Sequence, residues 1–112
     1  MAIYKIFRAA EWAQLLHDGE TAGAPVDQAD GFVHFSTAAQ LLETADKHFA
    51  GETALLVLRL EEERLAGALK WEPSRGGALF PHLYRPLRLS DLTWARPMGT
   101  GPGGHMLPDG VE

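Results

Sequence analysis

Apolar residues recur along this chain in two rhythms, one of two residues and one of three to four. Residues 2–8 alternate, with Tyr4, Ile6 and Arg8 against Ile3, Lys5 and Phe7, which predicts a strand. Trp12, Leu15 and Leu16 then fall at i, i+3 and i+4, one face of a short helix over 10–18 that Gly19 stops. Residues 20–30 are small and polar, with Pro25 among them, and predict a loop. The period of two returns in 31–37, placing Phe32, His34 and Ser36 on one face and Val33 and Phe35 on the other. Thr37 and Gln40 have the spacing of a capping box. A helix is expected from there to about residue 50, with Leu41, Leu42, Ala45 and Phe49 on its apolar side and Gly51 at its end. Residues 53–60 are apolar on both faces until Arg59, the pattern of a central strand. An exposed turn with a little helix follows over 61–67, then a strand over 68–72. Pro73, Gly76 and Gly77 open a loop that leads to Phe80-Pro81-His82-Leu83-Tyr84 and two late strands, and the prolines confine this part to edges and loops. Two early helical crossovers followed by strands predict an α+β fold.

The length of 112 residues suits a single domain, and 46% hydrophobic with 22% charged residues is a globular composition. The domain is expected over 1–97. Residues 98–112 hold five glycines and two prolines and are expected to be a flexible C-terminal tail. No cysteine is present, which excludes a disulfide scaffold and a thiol nucleophile. No apolar run approaches the roughly 20 residues of a membrane helix. The first twelve residues carry Lys5, Arg8 and Glu11 rather than a signal peptide's apolar stretch, so a cytoplasmic protein without membrane association is expected. The net charge of −5 argues against general nucleic-acid binding. Residues 70–97 run the other way: Lys70, Arg75, Arg85, Arg88 and Arg96 face only Glu72 and Asp91, a balance suited to one small anion.

Among five histidines, His17 and His48 fall near helix C-termini, where a cation favours the dipole, and His105 lies in the expected tail. His34 sits mid-strand on the face of Ser36, just before a helix start whose free N–H groups attract anions. His82 follows Pro81 and shares a face with Tyr84 if that segment is extended, a polar pair in an apolar stretch. For both histidines a hydrogen-bonded structural role stays open beside a functional one. Glu72 lies beside Trp71, where a carboxylate can carry protons or simply pair with an arginine. Lys5 faces either a site or solvent. The histidine spacings match no metal motif, and no metal site is expected. Neither a GxGxxG, a GxxxxGK[ST] nor a GxSxG is present.

The run Asp30-Gly31-Phe32-Val33-His34-Phe35-Ser36-Thr37, with Trp71-Glu72, Phe80–Tyr84, Ile3-Tyr4-Lys5-Ile6 and Trp12, resembles the small bacterial domain-of-unknown-function family 952 over about residues 2–97. That family is grouped with the ADP-ribosyltransferase fold, a split, curved sheet with a cleft for NAD. Residues 33–36 also resemble a strand of the RNA 2′-phosphotransferases. The resemblance implies three sheet positions around the nicotinamide end: Tyr4 and Lys5 first, His34 second, and the segment of His82 third. It implies an NAD-binding, ADP-ribosyl-transfer-like enzyme. His34, His82 and Tyr84 would be catalytic, and Tyr4, Lys5, Ser36, Thr37, Glu72 and Arg75 would bind NAD, with Arg75 or Arg85 on its pyrophosphate. Many transferring members carry a glutamate at the third position, where this chain has none, and Glu72 lies one segment earlier. The alternatives are a non-catalytic module binding a nucleotide-like ligand and a structural or interaction protein without an active site.

Overall fold

A computed structural model describes residues 1–74 and 76–112. The chain opens with strand β1 (Ala2–Phe7) and helix α1 (Ala9–Asp18), which ends where Gly19 turns left-handed at φ 77°. Residues expected as a loop hold two elements instead: a short strand β2 (Glu20–Thr21) and helix α2 (Pro25–Asp30). Pro25 starts this helix rather than breaking chain order. Its fixed φ suits the first helical position, where an N–H has no partner to lose. Asp27 accepts the Ala24 N–H at 2.7 Å, and Gly31, at φ 83°, closes the turn.

Strand β3 (Val33–His34) is shorter than expected, and helix α3 (Ala38–His48) follows it. The capping box forms: Thr37 Oγ1 accepts the Gln40 N–H at 3.2 Å, and Gln40 Oε1 accepts the Thr37 N–H at 3.0 Å. Leu41 and Ala45 are buried, whereas Leu42 faces outward. Strand β4 (Leu56–Glu61) follows, then a 3-10 turn over Glu62–Leu65 and the hairpin of β5 (Leu69–Ser74) and β6 (Ala78–Leu83). The chain continues with β7 (Leu87–Arg88) and β8 (Leu92–Pro97).

Two antiparallel three-stranded sheets carry the molecule, in the orders β1-β4-β8 and β3-β6-β5. Strand β4 is central, as its two-sided apolar pattern predicts. Strand β6 is also central, although Pro81 lies within it. In an antiparallel ladder a residue's N–H and C=O point to the same neighbour. The Pro81 carbonyl accepts the Phe35 N–H at 3.0 Å, just past the end of β3. The missing proline N–H therefore falls where β3 has stopped, and no β5-β6 rung is lost. The sheets meet at one bridge, where Tyr4 and Ser36 exchange both backbone bonds at 2.8 Å.

The alternation of β1 divides the core. Ile3 and Phe7 join Val33, Phe35, Leu58, Leu60 and Leu83 on one side. Ala2, Tyr4 and Ile6 join Leu41, Ala45, Phe49 and Val57 on the other. Residues 98–112 do not form the flexible tail expected of them. They make a hairpin of β9 (Gly99–Gly101) and β10 (Gly104–Met106), and then run back to β1. Met98 is buried, Val111 packs on the second core, and the Glu112 N–H donates to the Tyr4 hydroxyl at 3.2 Å. A few apolar anchors dock on a face that was already apolar, which average composition does not register. No helix among the described residues is long and apolar enough to cross a membrane.

Candidate functional site

A cleft of about 540 Å³ opens where β1, α3, the start of α2 and the β5-β6 hairpin converge. Tyr4, Lys5, His34, Ser36 and His82 all border it. Its apolar walls come from Phe35, Phe49 and Phe80, and its further polar groups from Arg8, Thr44, His48 and Ser74. Among the described residues no carboxylate lines it.

The carboxylates stand one layer back and hold the lining side chains. Lys5 points from β1 into a buried pair with Asp27, 2.8 Å from Nζ to Oδ2. Burial pushes the Lys5 ammonium below its ordinary range, with Asp27 opposing. Burial also pushes Asp27 upward, but its bonds with the His34 ring and the nearby Lys5 charge outweigh this and hold it below the usual carboxylate range. The Asp27 Oδ1 also accepts the His34 N–H at 3.0 Å and lies 2.6 Å from His34 Nδ1. On the other side of that ring, His34 Nε2 lies 2.9 Å from Asp30, which is half-exposed.

His82 faces His34 across the register of β3 and β6, with ring centroids 5.2 Å apart and nearly perpendicular planes. Phe32 lies against both rings, 4.6 Å from His34 and 4.2 Å from His82. His82 Nδ1 is 2.9 Å from Glu72 Oε1, and the same oxygen accepts the Tyr84 hydroxyl at 2.6 Å. These bonds, Tyr84 first and His82 second, hold Glu72 below the usual carboxylate range, and Glu72 in turn raises Tyr84. His82 is 4% exposed, and its Nε2 has no hydrogen-bond partner among the described residues.

Several candidates from the sequence take other positions. Tyr4 borders the cleft, but its hydroxyl donates to the Gly110 carbonyl at 3.4 Å and accepts the Glu112 N–H, so the closing segment occupies it. Ser36 shares its hydroxyl with Thr44 at 2.8 Å. Thr37 is spent on the helix cap and does not line the cleft. Glu72 and Tyr84 also stand outside it, Tyr84 on a neighbouring hollow of about 320 Å³ and Glu72 behind His82. Arg85 makes a two-pronged pair with Asp91 at 2.9 and 3.0 Å, which occupies its guanidinium. Arg75 lies outside the described residues. Sequence reasoning missed Asp27, which organises Lys5 and His34. Its signal was present: Pro25 at a first helical position, an acid two residues later, and Gly31 as the stop.

Fold and site together define a small α+β protein with a cleft lined by three histidines, of which His34 and His82 are backed by carboxylates. The chain belongs to the DUF952 family, described as a protein of unknown function, whose profile matches residues 6–95. It is similar to protein CC0527 from Caulobacter crescentus. The crystal structure of that protein is 47% identical, with a TM-score of 0.89 over 94% of this chain and 92% of that one. Its solution NMR structure has a TM-score of 0.83 at 47% identity, over 93% of this chain and 90% of that one. No curated protein matches the chain.

Proposed function

We propose that the cleft binds a nucleotide-like ligand, NAD or ADP-ribose, and that the protein is an enzyme of the ADP-ribosyl-transfer kind. The observation that carries this reading is the convergence of Lys5, His34 and His82, from three separate strands, on one cleft. Its volume of about 540 Å³ lies within the range of small-molecule sites. Aromatic walls suit a base or a nicotinamide ring, and the cations at the cleft, Lys5 and Arg8, are paired with Asp27 and Glu52, so a phosphate there would share them with those carboxylates. The buried, unpartnered His82 Nε2 is a polar atom that a ligand would satisfy. NAD would supply the ribosyl group as substrate, and this chain's own residues would bind and orient it.

A second reading, a binding module without turnover, is favoured by one observation. No carboxylate among the described residues lines the cleft, and those behind it are engaged, Asp27 by Lys5 and His34 and Glu72 by His82 and Tyr84. A ligand that binds only the native state stabilises it, by about 2.7 kcal/mol at a hundred times its dissociation constant. Millimolar NAD or ADP-ribose should therefore raise the melting temperature by several degrees. Release of nicotinamide during incubation with NAD would establish the enzyme, and a thermal shift without release would establish the module. An unmoved melting temperature with both nucleotides at millimolar concentration would remove both readings.

A further inference from the structure

The hairpin of β5 and β6 builds one polar unit out of local rules. Lys70 pairs with His82 and Glu72 with Phe80 in the strand register, so Lys70, Glu72 and His82 project from one face. Tyr84 follows two residues after His82 and returns to the same group, with the Lys70 ammonium 4.7 Å above its ring. Glu72 Oε1 then receives Tyr84 at 2.6 Å and His82 Nδ1 at 2.9 Å.

We infer that His82 is a base whose Nε2 carries a lone pair into the cleft, so that the ligand must present a hydroxyl, or another O–H or N–H donor, at that atom. The assignment follows from what each group can donate. An ionised carboxylate only accepts hydrogen bonds, and a neutral imidazole carries one proton. Glu72 sits below the usual carboxylate range because of its bonds with Tyr84 and His82. Both neighbours must then donate to it, so the His82 proton is on Nδ1 and Nε2 is bare. Phe32 on one face of the ring and the edge-on His34 ring hold its plane. Nε2 itself is buried without a partner among the described residues, and a bare nitrogen there is completed by a donor. Proton transfer would break the ligand's O–H bond and form Nε2–H, with the electron pair left on oxygen. The resulting imidazolium would lie against Glu72, which balances its charge. Glu72 and Tyr84 are thus positioning residues. The inference rests on the cleft being a ligand site, but the state of the ring can be read without any ligand.

The test is a long-range proton–nitrogen correlation spectrum of the nitrogen-15-labelled full chain at pH 8, above the ordinary histidine range near 6.5. The expected result is a bare-acceptor signal for His82 Nε2 and a protonated signal for Nδ1. A protonated Nε2 overturns the inference. Glu72→Leu removes the acceptor that fixes the proton on Nδ1, so the form protonated at Nε2 should gain population while the backbone spectrum stays native. An unchanged ring in a natively folded Glu72→Leu would overturn the role given to Glu72. If that variant fails to fold, Tyr84→Phe, which leaves the carboxylate in place, should keep the proton on Nδ1, and a proton on Nε2 there counts against the inference. ADP-ribose is the probe for the ligand step. If it raises the melting temperature but leaves the Nε2 signal unmoved, the base is overturned and the cleft stands. If it does not bind but Nε2 is bare, the base stands and the nucleotide reading falls.

Discussion

The Asp27 carboxylate collects the Lys5 ammonium, the Ala24 N–H, and both the backbone N–H and Nδ1 of His34, all within 3.0 Å. Its side chain is fully buried, and that of Lys5 is 8% exposed. Gly23 makes room for it: a Cβ there would come 2.3 Å from Asp27 Oδ2. Removing one partner of such a pair leaves a buried charge alone, which costs about 3–5 kcal/mol. Asp27→Asn should lose about that much in urea unfolding, and adding Lys5→Met should recover part of it by removing the stranded ammonium. A loss below about 1 kcal/mol would contradict this account of the pair. The pH dependence has a definite sign. The folded-state pKa of Asp27 is depressed, so its stabilisation is present above the unfolded carboxylate value near 3.9 and is lost as pH falls through the lower folded value. The acid limb of the stability curve should therefore be shallower in Asp27→Asn. How legible these residues were depended on local geometry. Alternation placed His34 with Ser36 and His82 with Tyr84; the same alternation sends Tyr4 toward the second core and Lys5 toward Asp27, yet both residues border the cleft.

Elements with a regular period were read correctly from sequence, including β1, α1, α3 with its cap, and the central position of β4. The largest misreadings come from treating proline and glycine as marks of loops, edges or a tail rather than as residues with positional uses; the outward Leu42 and the short β3 are separate from these. Pro25 opens a helix, and Pro81 sits where β3 has ended. The glycines of residues 98–112 turn a hairpin whose anchors are few but buried. His105 has a side chain 5% exposed, with Nε2 3.0 Å from the Glu52 carbonyl. The Gly110 carbonyl accepts from Arg59 at 2.9 Å as well as from Tyr4. Deleting residues 99–112 should therefore destabilise the protein by about 3 kcal/mol or more. The loss combines the apolar surface that the segment covers with the hydrogen bonds it makes to Tyr4, Arg59 and Glu52. Urea midpoints of the full and truncated chains decide the matter, and a truncated chain within about 0.5 kcal/mol of the full one would show that the hairpin does not dock.

At the scale of the whole molecule, the bridge between Tyr4 and Ser36 makes a narrow seam between the two sheets, and strand pairing alone would let them open separately. The packing argues otherwise. Strand β1 places Ile3 and Phe7 in one core and Tyr4 and Ile6 in the other, and β4 does the same with Leu58 and Leu60 against Val57. The first of these cores also contains Val33 from β3 and Leu83 from β6, so the second sheet is packed on residues that the first sheet cannot release without unfolding. The buried Lys5–Asp27–His34 chain crosses the same seam with charged groups, whose separation would expose an unpaired charge to a dry interior. The molecule should therefore unfold as one cooperative unit, as small single domains commonly do. Native-state hydrogen exchange reads this directly, because locally opening regions exchange at lower free energy than the global transition. The slowest amides of β1, β4 and β6 should share one opening free energy to within about 1 kcal/mol, and a ligand bound in the cleft should slow all three strands together. If the β3-β6-β5 amides open at a free energy more than about 2 kcal/mol below those of β1 and β4, the sheets are separate units. The cleft between them would then be a hinge that a ligand closes, rather than a site held ready by a shared core.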